Sequence, residues 1–495
     1  MSAWKRDGTA WISPETGARW LPTIGLEVHA QLSTKTKLFC GCLVSFGAAP
    51  NSNTCPVCTG QPGALPVLNE SALLLAVRAA VAFGAVVARE THFDRKNYFY
   101  CDLPKNYQTS QYDHPFCAGG GVELSNGNFI RLNRIHMEED AGKTMHTDAG
   151  SLVDLNRTGI PLIESVTEAD LHSPEDAHEY LTRFREILQF AGVSTADMEK
   201  GELRCDVNIS VRPEGEEGLR TKVEVKNLNS FRHAQASLEH EIPRQIVAYE
   251  REGEDAIVQE TRLWDPDREE TRTMRVKEGE SDYRYFPCPD LPRLSLSEEI
   301  VAAQRDLLPE LPDARRARYQ AELGLSEYDA GVLTGSRATA DYFEETAELS
   351  GDPKAACNWV SNELLRAIGT EEVEADSLAG ISLTPEELAL VISKSASGDL
   401  HSKGARELVR ECLRTGAGVE ETIQSLGLDE VIDDAALEGW CREALEANPR
   451  VAEEVRAGKD KALGACIGPV MQASGGKADP KRITEVLKSL IEADS

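Results

Sequence analysis

The sequence predicts an α+β protein, with an N-terminal region built on an antiparallel sheet and an all-α region after it. Three observations predict this. Several segments before residue 290 alternate between apolar and charged residues, the pattern of strands with one buried and one open face. The Pro- and aromatic-rich stretch "DYRYFPCPDLPRLS" continues neither a helix nor a central strand, so it marks a boundary near residue 295. Beyond that boundary acidic amphipathic helices dominate.

The opening strand is "TIGLEVHAQL", with Ile24, Leu26, Val28 and Ala30 on one face and Glu27 and His29 on the other. Residues two apart on a pleated strand point the same way, so this carboxylate and imidazole either converge on one object or simply face solvent. The clearest helix is "SPEDAHEYLTRFREILQFAG": Ser173 caps it, Pro174 fits the first turn, acidic residues follow and Gly192 ends it. "ELRCDVNISVR" repeats the strand logic, with Leu203, Cys205, Val207 and Ile209 opposite Arg204, Asp206 and Asn208. "TKVEVKN" does so again, with Val223 and Val225 opposite Lys222, Glu224 and Lys226. Such strands suggest a sheet whose open face is lined with functional groups. The last helix has Asp479 as cap and Pro480 in its first turn, then Ile483, Val486, Leu487, Leu490 and Ile491 at helical spacing.

At 495 residues and 41% hydrophobic the chain has material for about three domains of ordinary size. A net charge of -30 repels phosphate backbones at long range, which gives no support to general nucleic-acid binding and confines any RNA contact to a local patch. Twelve cysteines fall far below disulfide-scaffold density. The N-terminal "MSAWKRDGTAWISP" has no apolar core, and the most apolar run, "ALLLAVRAAVAFGAVVA", is interrupted by Arg78. The expectation is a soluble, unexported protein in a reducing cytoplasmic compartment.

"CGCLVSFGAAPNSNTCPVC" holds Cys40, Cys42, Cys55 and Cys58 as two close pairs. Thiolates so grouped complete a closed tetrahedral zinc site, structural in role; the alternative is four buried, reduced thiols. "RIHMEEDAGKTMH" offers Glu138, Glu139 and Asp140, then Gly142, Lys143 and Thr144. Its "GKT" is no phosphate loop, since the required glycine five positions earlier is Met137. Three adjacent carboxylates are either a solvated turn or, facing Glu27 and Asp206 across a sheet, a group that repels unless a divalent cation neutralises it. Magnesium suits such oxygen donors, with His29 as a further or supporting ligand. "FDRKNYFYCDLPKNYQTSQYD" combines Arg95, Lys96, Lys105 and Asn106 with Tyr98, Tyr100, Tyr107 and Tyr112. These groups either hold nucleotide phosphates and a base or pack as a tyrosine-rich loop over the sheet. Asn156 and Arg157 precede a Gly-Ile-Pro turn in "LNRTGIPLIE".

Taken in order, "IGLEVHAQL", "FDRKNYFYCDLPKNYQTSQYD", "RIHMEEDAGKT", "DLNRTGIPLIE", "RCDVNISVR", "EVKNLNS" and "YRYFPCPDLP" resemble the B-subunit family of the bacterial GatCAB aspartyl/glutamyl-tRNA amidotransferases, from about residue 22 onward. "GGKADPKRITEVLKSLI" is similar to the end of that family's YqeY-type tail. The resemblance implies a cradle domain over residues 1–295, similar to the glutamine synthetase/guanido kinase fold, a helical domain over 296–400 and a YqeY-like, tRNA-binding tail over 401–495. It implies ATP-dependent phosphorylation of the side-chain carboxylate of Glu-tRNA(Gln), Asp-tRNA(Asn) or both, followed by displacement of phosphate by ammonia. Carried over residue by residue, the catalytic magnesium ligands are Glu27, His29, Glu139 and Asp206, with Glu138 beside them. Lys96, Tyr98, Lys105, Asn106 and Arg157 are expected to bind ATP, and Lys477, Lys481 and Arg482, with Lys488, to contact RNA.

The implied partners are a GatA-type amidase, which supplies ammonia from glutamine, a small GatC-type protein and the mischarged tRNA. No glutaminase nucleophile motif occurs in this chain. Two other readings share parts of the pattern: a small-molecule carboxylate-amine ligase, and a non-catalytic tRNA-binding subunit.

Overall fold

The computed structural model describes residues 4–276, 283–368, 377–428, 434–456, 459–474, 478 and 480–493. The chain forms two compact units that divide between Pro312 and Asp313.

The first unit is organised by a twelve-stranded sheet. Its central members are β1 (Arg19–Gln31), β2 (Phe129–Glu139), β3 (Pro161–Thr167), β4 (Leu203–Pro213), β5 (Val223–Leu228), β6 (Glu260–Asp265) and β7 (Glu270–Val276). They lie side by side in the order β7-β6-β5-β4-β1-β3-β2, and short strands Cys117–Ala118 and Val86–Val87 extend the β2 edge. The expected all-antiparallel arrangement needs one correction: β5 and β6 run parallel, Val225 opposite Arg262. A parallel neighbour requires a crossover, and the helix Phe231–Glu252 between the two strands supplies it.

Alternation fixes which face is buried. Ile24, Leu26, Val28 and Ala30 of β1 are at most 1% exposed and belong to one core with Val207, Ile209, Val223 and Val225. Two long helices pack onto that core, α1 (Pro174–Phe190) and α2 (Phe231–Glu252), together with the helix Glu70–Ala82. Ser173 caps α1 by accepting the Asp176 N–H, Pro174 occupies its first turn, and Gly192 turns the chain out with φ 65°. In α2, Ser230 accepts the His233 N–H, and Leu238, Ile242 and Ile246 are fully buried. Burying each such aliphatic side chain contributes about 1.5–3 kcal/mol, which holds the open face of the sheet in a fixed register.

A small three-stranded sheet joins Asp94–Asn97 to Tyr107–Ser110 on one side and Phe286–Pro287 on the other. It carries Lys96 and brings Tyr283 and Tyr285 beside it.

The second unit is helical. One core gathers residues from Tyr319 to Ile423, including Phe343, Leu388, Leu408 and Cys412. Another gathers Leu437, Cys441, Cys466, Val470, Ile483, Leu487 and Ile491. The expected boundaries lie near residues 295 and 400; the compact units divide after Pro312, and Leu408, Val409 and Cys412 share a core with residues before 400. The last helix, Pro480–Ala493, buries Ile483, Leu487 and Ile491 as its spacing predicts, while its expected cap Asp479 lies outside the described residues. No helix among the described residues is long and apolar enough to cross a membrane.

Candidate active site and metal centre

Strand register builds the open face in rows. His136 stands opposite Glu164, Glu164 opposite His29, and His29 opposite Arg204, so one row crosses β2, β3, β1 and β4. The adjacent row puts Glu27 opposite Asp206. Two acidic groups result. In one, His29 Nε2 lies 3.4 Å from Glu138 and 3.3 Å from Glu164, and His136 Nε2 lies 3.3 Å from the same Glu164 oxygen. In the other, oxygens of Glu27, Asp206 and Glu224 lie within 4.8 Å of one another.

The second group is held together by cationic and amide donors. Lys226 forms an ion pair with Asp206 and lies 3.4 Å from Glu224, while Asn208 Nδ2 donates to Glu27 at 3.0 Å. The β4–β5 ladder slips between Cys205 and Val207, next to Asn227 with its φ of 68°, and this bulge aims Lys226 at Asp206.

Burial and charge compete throughout the first group. Burial alone would lower the His29 pKa, but Glu164, by charge and hydrogen bond, and then Glu138 and Asp206 raise it to about 9. Burial pushes the Glu164 carboxyl up, yet His136 and His29 reverse this and hold it well below the usual range. Glu138 stays raised, first by burial and then by the charge of Glu164, with His29 and Lys96 opposing. Lys96 is shifted upward despite burial because Glu138, Tyr285, Glu164 and Tyr283 favour its charged form. Its Nζ lies 4.9 Å from the Tyr283 ring centroid. Burial pushes Tyr98 up to about 12.

Hard carboxylate oxygens and an imidazole concentrated on one face form a donor set suited to a divalent metal such as magnesium. The groups that gather are His29, Glu138 and Glu164, and Glu27, Asp206 and Glu224. Glu139 is not among them. Neighbouring residues on a strand face opposite sides, and Ile135 and Met137 fix the inward phase, so Glu139 points away from Glu138. Its carboxylate pairs with Lys105, accepts the Thr109 N–H at 2.9 Å and borders a cavity of about 110 Å³ beside Cys58. Glu139 thus stands apart from Glu27, His29 and Asp206, with which the sequence expects it to share a metal.

The ATP-binding candidates divide likewise. Lys96 and Tyr98 adjoin the first acidic group. Lys105 faces Glu139 on the other side, with Asn106 beside it in the left-handed region at φ 61°. Arg157 donates to the Ala141 and Gly142 carbonyls at 2.9 and 2.7 Å and lies 3.5 Å from Asp140, so it braces the chain where β2 ends. Gly142 has a packing reason: a Cβ there would lie 3.0 Å from the carbonyl oxygens of Asp102 and Asp154.

Glu164, Glu224 and His136, which the structure brings to this face, are not among the metal ligands the sequence singles out for it. A glutamate inside the apolar run "PLIESV", and the alternation of His136 and Glu138 with Ile135 and Met137, were the available signals.

Cys40, Cys42, Cys55 and Cys58 present four sulfurs within 4.8 Å of one another. A tetrahedral metal with bonds of about 2.3 Å sets its sulfurs about 3.8 Å apart, and Cys55 and Cys58 Sγ stand 3.9 Å apart. The Cys58 thiol is lowered to about 4 by its hydrogen bond with Cys40, against burial, with help from the Cys55 N–H and Lys37. Burial raises Cys42 to about 11. This donor set fits a closed four-thiolate metal.

In the tail, Arg482 is paired with Asp434 and Lys488 with Asp460 at 2.6 Å. Lys481 lies in the first turn of the last helix, and Lys477 lies outside the described residues.

The GatB/GatE catalytic domain family matches residues 22–302, and the GatB domain family matches residues 341–491. The chain is 45% identical to the B subunit of the aspartyl/glutamyl-tRNA(Asn/Gln) amidotransferase of Brevibacillus brevis, over 96% of its length and 100% of that protein's. It is 46% identical to the protein of the same name from Persephonella marina, covering 95% and 99% of the two chains. For Moorella thermoacetica the identity is again 46%, over 94% and 98%. Matches of this depth, spanning both the open-faced sheet and the helical unit, mean that the chain belongs to the GatB family of amidotransferase B subunits.

Proposed function

We infer that this chain is the kinase and transamidase component of a heterotrimer with a GatA-type amidase and a small GatC-type protein, acting in the cytoplasm. It converts Glu-tRNA(Gln), Asp-tRNA(Asn) or both to the amides. The observation that carries this reading is the pair of acidic groups on one open sheet face beside Lys96. That face also supports a likeness to the glutamine synthetase/guanido kinase fold.

The side-chain carboxylate of the charged tRNA is a poor acyl electrophile because oxide is a poor leaving group. Transfer of the γ-phosphoryl group of ATP to a carboxylate oxygen gives ADP and an acyl phosphate. Ammonia then attacks the acyl carbon, phosphate departs with the C–O bond pair, and the nitrogen loses a proton. A divalent magnesium ion supplies charge neutralisation and alignment for phosphoryl transfer. Glu27, Asp206 and Glu224, with His29, Glu138 and Glu164, would hold such ions. Lys96 offers a positive charge to phosphate oxygens, and Tyr98 borders the same space. Arg157 fixes the chain after Glu139, keeping β2's acidic end in register. The four cysteines would hold a structural zinc. The helical unit holds the tRNA body, where Lys477, Lys481 and Arg482 remain the local basic candidates.

The test is ATP hydrolysis by the reconstituted complex, measured with and without mischarged tRNA. Turnover that requires the tRNA supports the reading. A small-molecule ligase would ignore the tRNA, and a non-catalytic subunit would show no turnover. With the amidase inactivated, ammonium salts but not glutamine should support amidation.

A further inference from the structure

Lys37 is one of the largest fully buried side chains in the molecule, at 0% exposure. Lysine is almost never fully buried without a compensating anion. Its Nζ donates to the Asn53 carbonyl at 2.8 Å and the Leu155 carbonyl at 3.3 Å, and it lies 3.6 Å from Cys58 Sγ. Among the described residues no carboxylate oxygen comes within ion-pair distance of it. The Glu139 carboxylate lines the same cavity but is paired with Lys105, so the potential anion in contact with the ammonium is the Cys58 sulfur, and a divalent metal in four thiolates carries a net charge of about -2.

The carbonyls it bridges belong to two loops that asparagines fasten together. Asn51 receives the Leu155 N–H on its side-chain oxygen at 2.8 Å and donates its amide to the Val153 carbonyl at 3.0 Å. Asn156 accepts the Asn53 N–H at 2.8 Å and donates to the Ala49 carbonyl at 2.7 Å. Arg157 follows at once, anchored on the carbonyls of Ala141 and Gly142.

We propose that Lys37 is a positioning residue: it is the internal counter-charge of the four-thiolate centre and ties that centre's occupancy to the loop of residues 153–157, which sets Arg157 beside the acidic end of β2. This rests on the metal reading of the cysteines given above. With the metal bound, the ammonium and the anionic centre hold each other in place. When the metal leaves, the four-thiolate centre whose charge Lys37 faces is lost, and the bridge to Asn53 and Leu155 loosens.

The experiment uses the full chain in its heterotrimer. Metal content is measured first, then extraction by a coloured zinc chelator for wild type and Lys37→Met, which keeps length and removes charge. The expected result is metal in the wild type and extraction at least about tenfold easier from Lys37→Met, the scale on which residues supporting metal ligands act. Because that variant alters a buried site, wild type is also followed by amide hydrogen exchange before chelation, after it, and after zinc is returned. Residues 153–157 should exchange faster without metal and recover with it. Wild type that holds no metal overturns both the metal reading and the proposal. Metal-loaded wild type with unchanged retention in Lys37→Met, or with exchange at 153–157 indifferent to metal, overturns the proposal alone.

Discussion

Glu138 and Glu139 are adjacent, both almost fully buried, and chemically identical, yet β2 sends them to different surroundings. Their substitutions should separate accordingly. Glu138→Gln removes a charge from the group containing His29 and Glu164, and tRNA-dependent ATP turnover should fall about 10²–10³-fold, the cost of losing one preorganised electrostatic partner. Glutamine hydrolysis by the partner amidase should be unaffected, and near-normal ATP turnover in Glu138→Gln would remove this face as the kinase site. Glu139→Gln instead strands the Lys105 ammonium in a buried position, so its first effect should be a loss of about 3–5 kcal/mol in stability. Denaturant titration of the two variants reads that difference directly. A sequence run of "EED" carries no face by itself, and only the phase set by Ile135 and Met137 resolves it. Cys55→Ser, for its part, opens a closed four-thiolate site, and atomic absorption should find the metal lost.

At the scale of elements, the strands and helices with strong periodicity were legible. β1 and the first half of β4 alternate as their sequences predict, whereas in β5 Glu224 is buried along with Val223 and Val225, and α1 has its Ser173 cap, its Pro174 and its Gly192. Local chemistry determined those features. The β5–β6 pairing was not legible, because it joins strands across a long helix and depends on tertiary packing. The acidic site was legible in part for the same reason: Glu27 and His29 share a strand, whereas Glu164 and Glu224 reach them only through the sheet.

The α2–β6–β7 junction also hides a buried charge. Glu241 on α2 pairs with Arg244 at 2.8 Å and Arg262 at 3.2 Å and accepts the Thr271 hydroxyl. Burial opposes its ionisation, but these partners lower its pKa below the ordinary value. A carboxyl depressed in the folded state gives stability that is present above its unfolded pKa of about 4.3 and is lost as pH falls through the folded value. Wild type should therefore lose stability on acidification more steeply than Glu241→Gln over that window, with the variant already weaker at neutral pH. Parallel pH–denaturation curves would refute this.

For the whole molecule, two cores in the helical unit determine where it is safe to cut. Ending the chain at residue 400 would strip Leu408, Val409 and Cys412 from a core they share with Phe343 and Leu388. Ending it before Leu437 removes the other core as a set. A chain truncated at residue 433 should keep its first unit folded and raise the KM for charged tRNA, because contacts with the tRNA body contribute binding remote from the reacting carboxylate. An unchanged KM would exclude residues 434–495 from tRNA binding. With a net charge of -30 on the chain as a whole, any such contacts would be local and strongly salt-dependent.

The parallel pairing of β5 with β6 also has a consequence in time. A hairpin closes locally, but β6 reaches β5 only after the chain from Leu228 to Glu260 has formed α2 and laid it on the sheet. Loop-closure entropy opposes that pairing before any of its contacts stabilise it, so β6 and β7 should join late on the folding path and leave early. Native-state hydrogen exchange at rising denaturant should find the amides of β6 and β7 opening in a lower-energy unit than those of β1 and β4. During synthesis the outer strand of the nascent sheet is then β5, its edge unpaired until the helix docks, and that interval is when this chain is most exposed to pairing with another copy of itself.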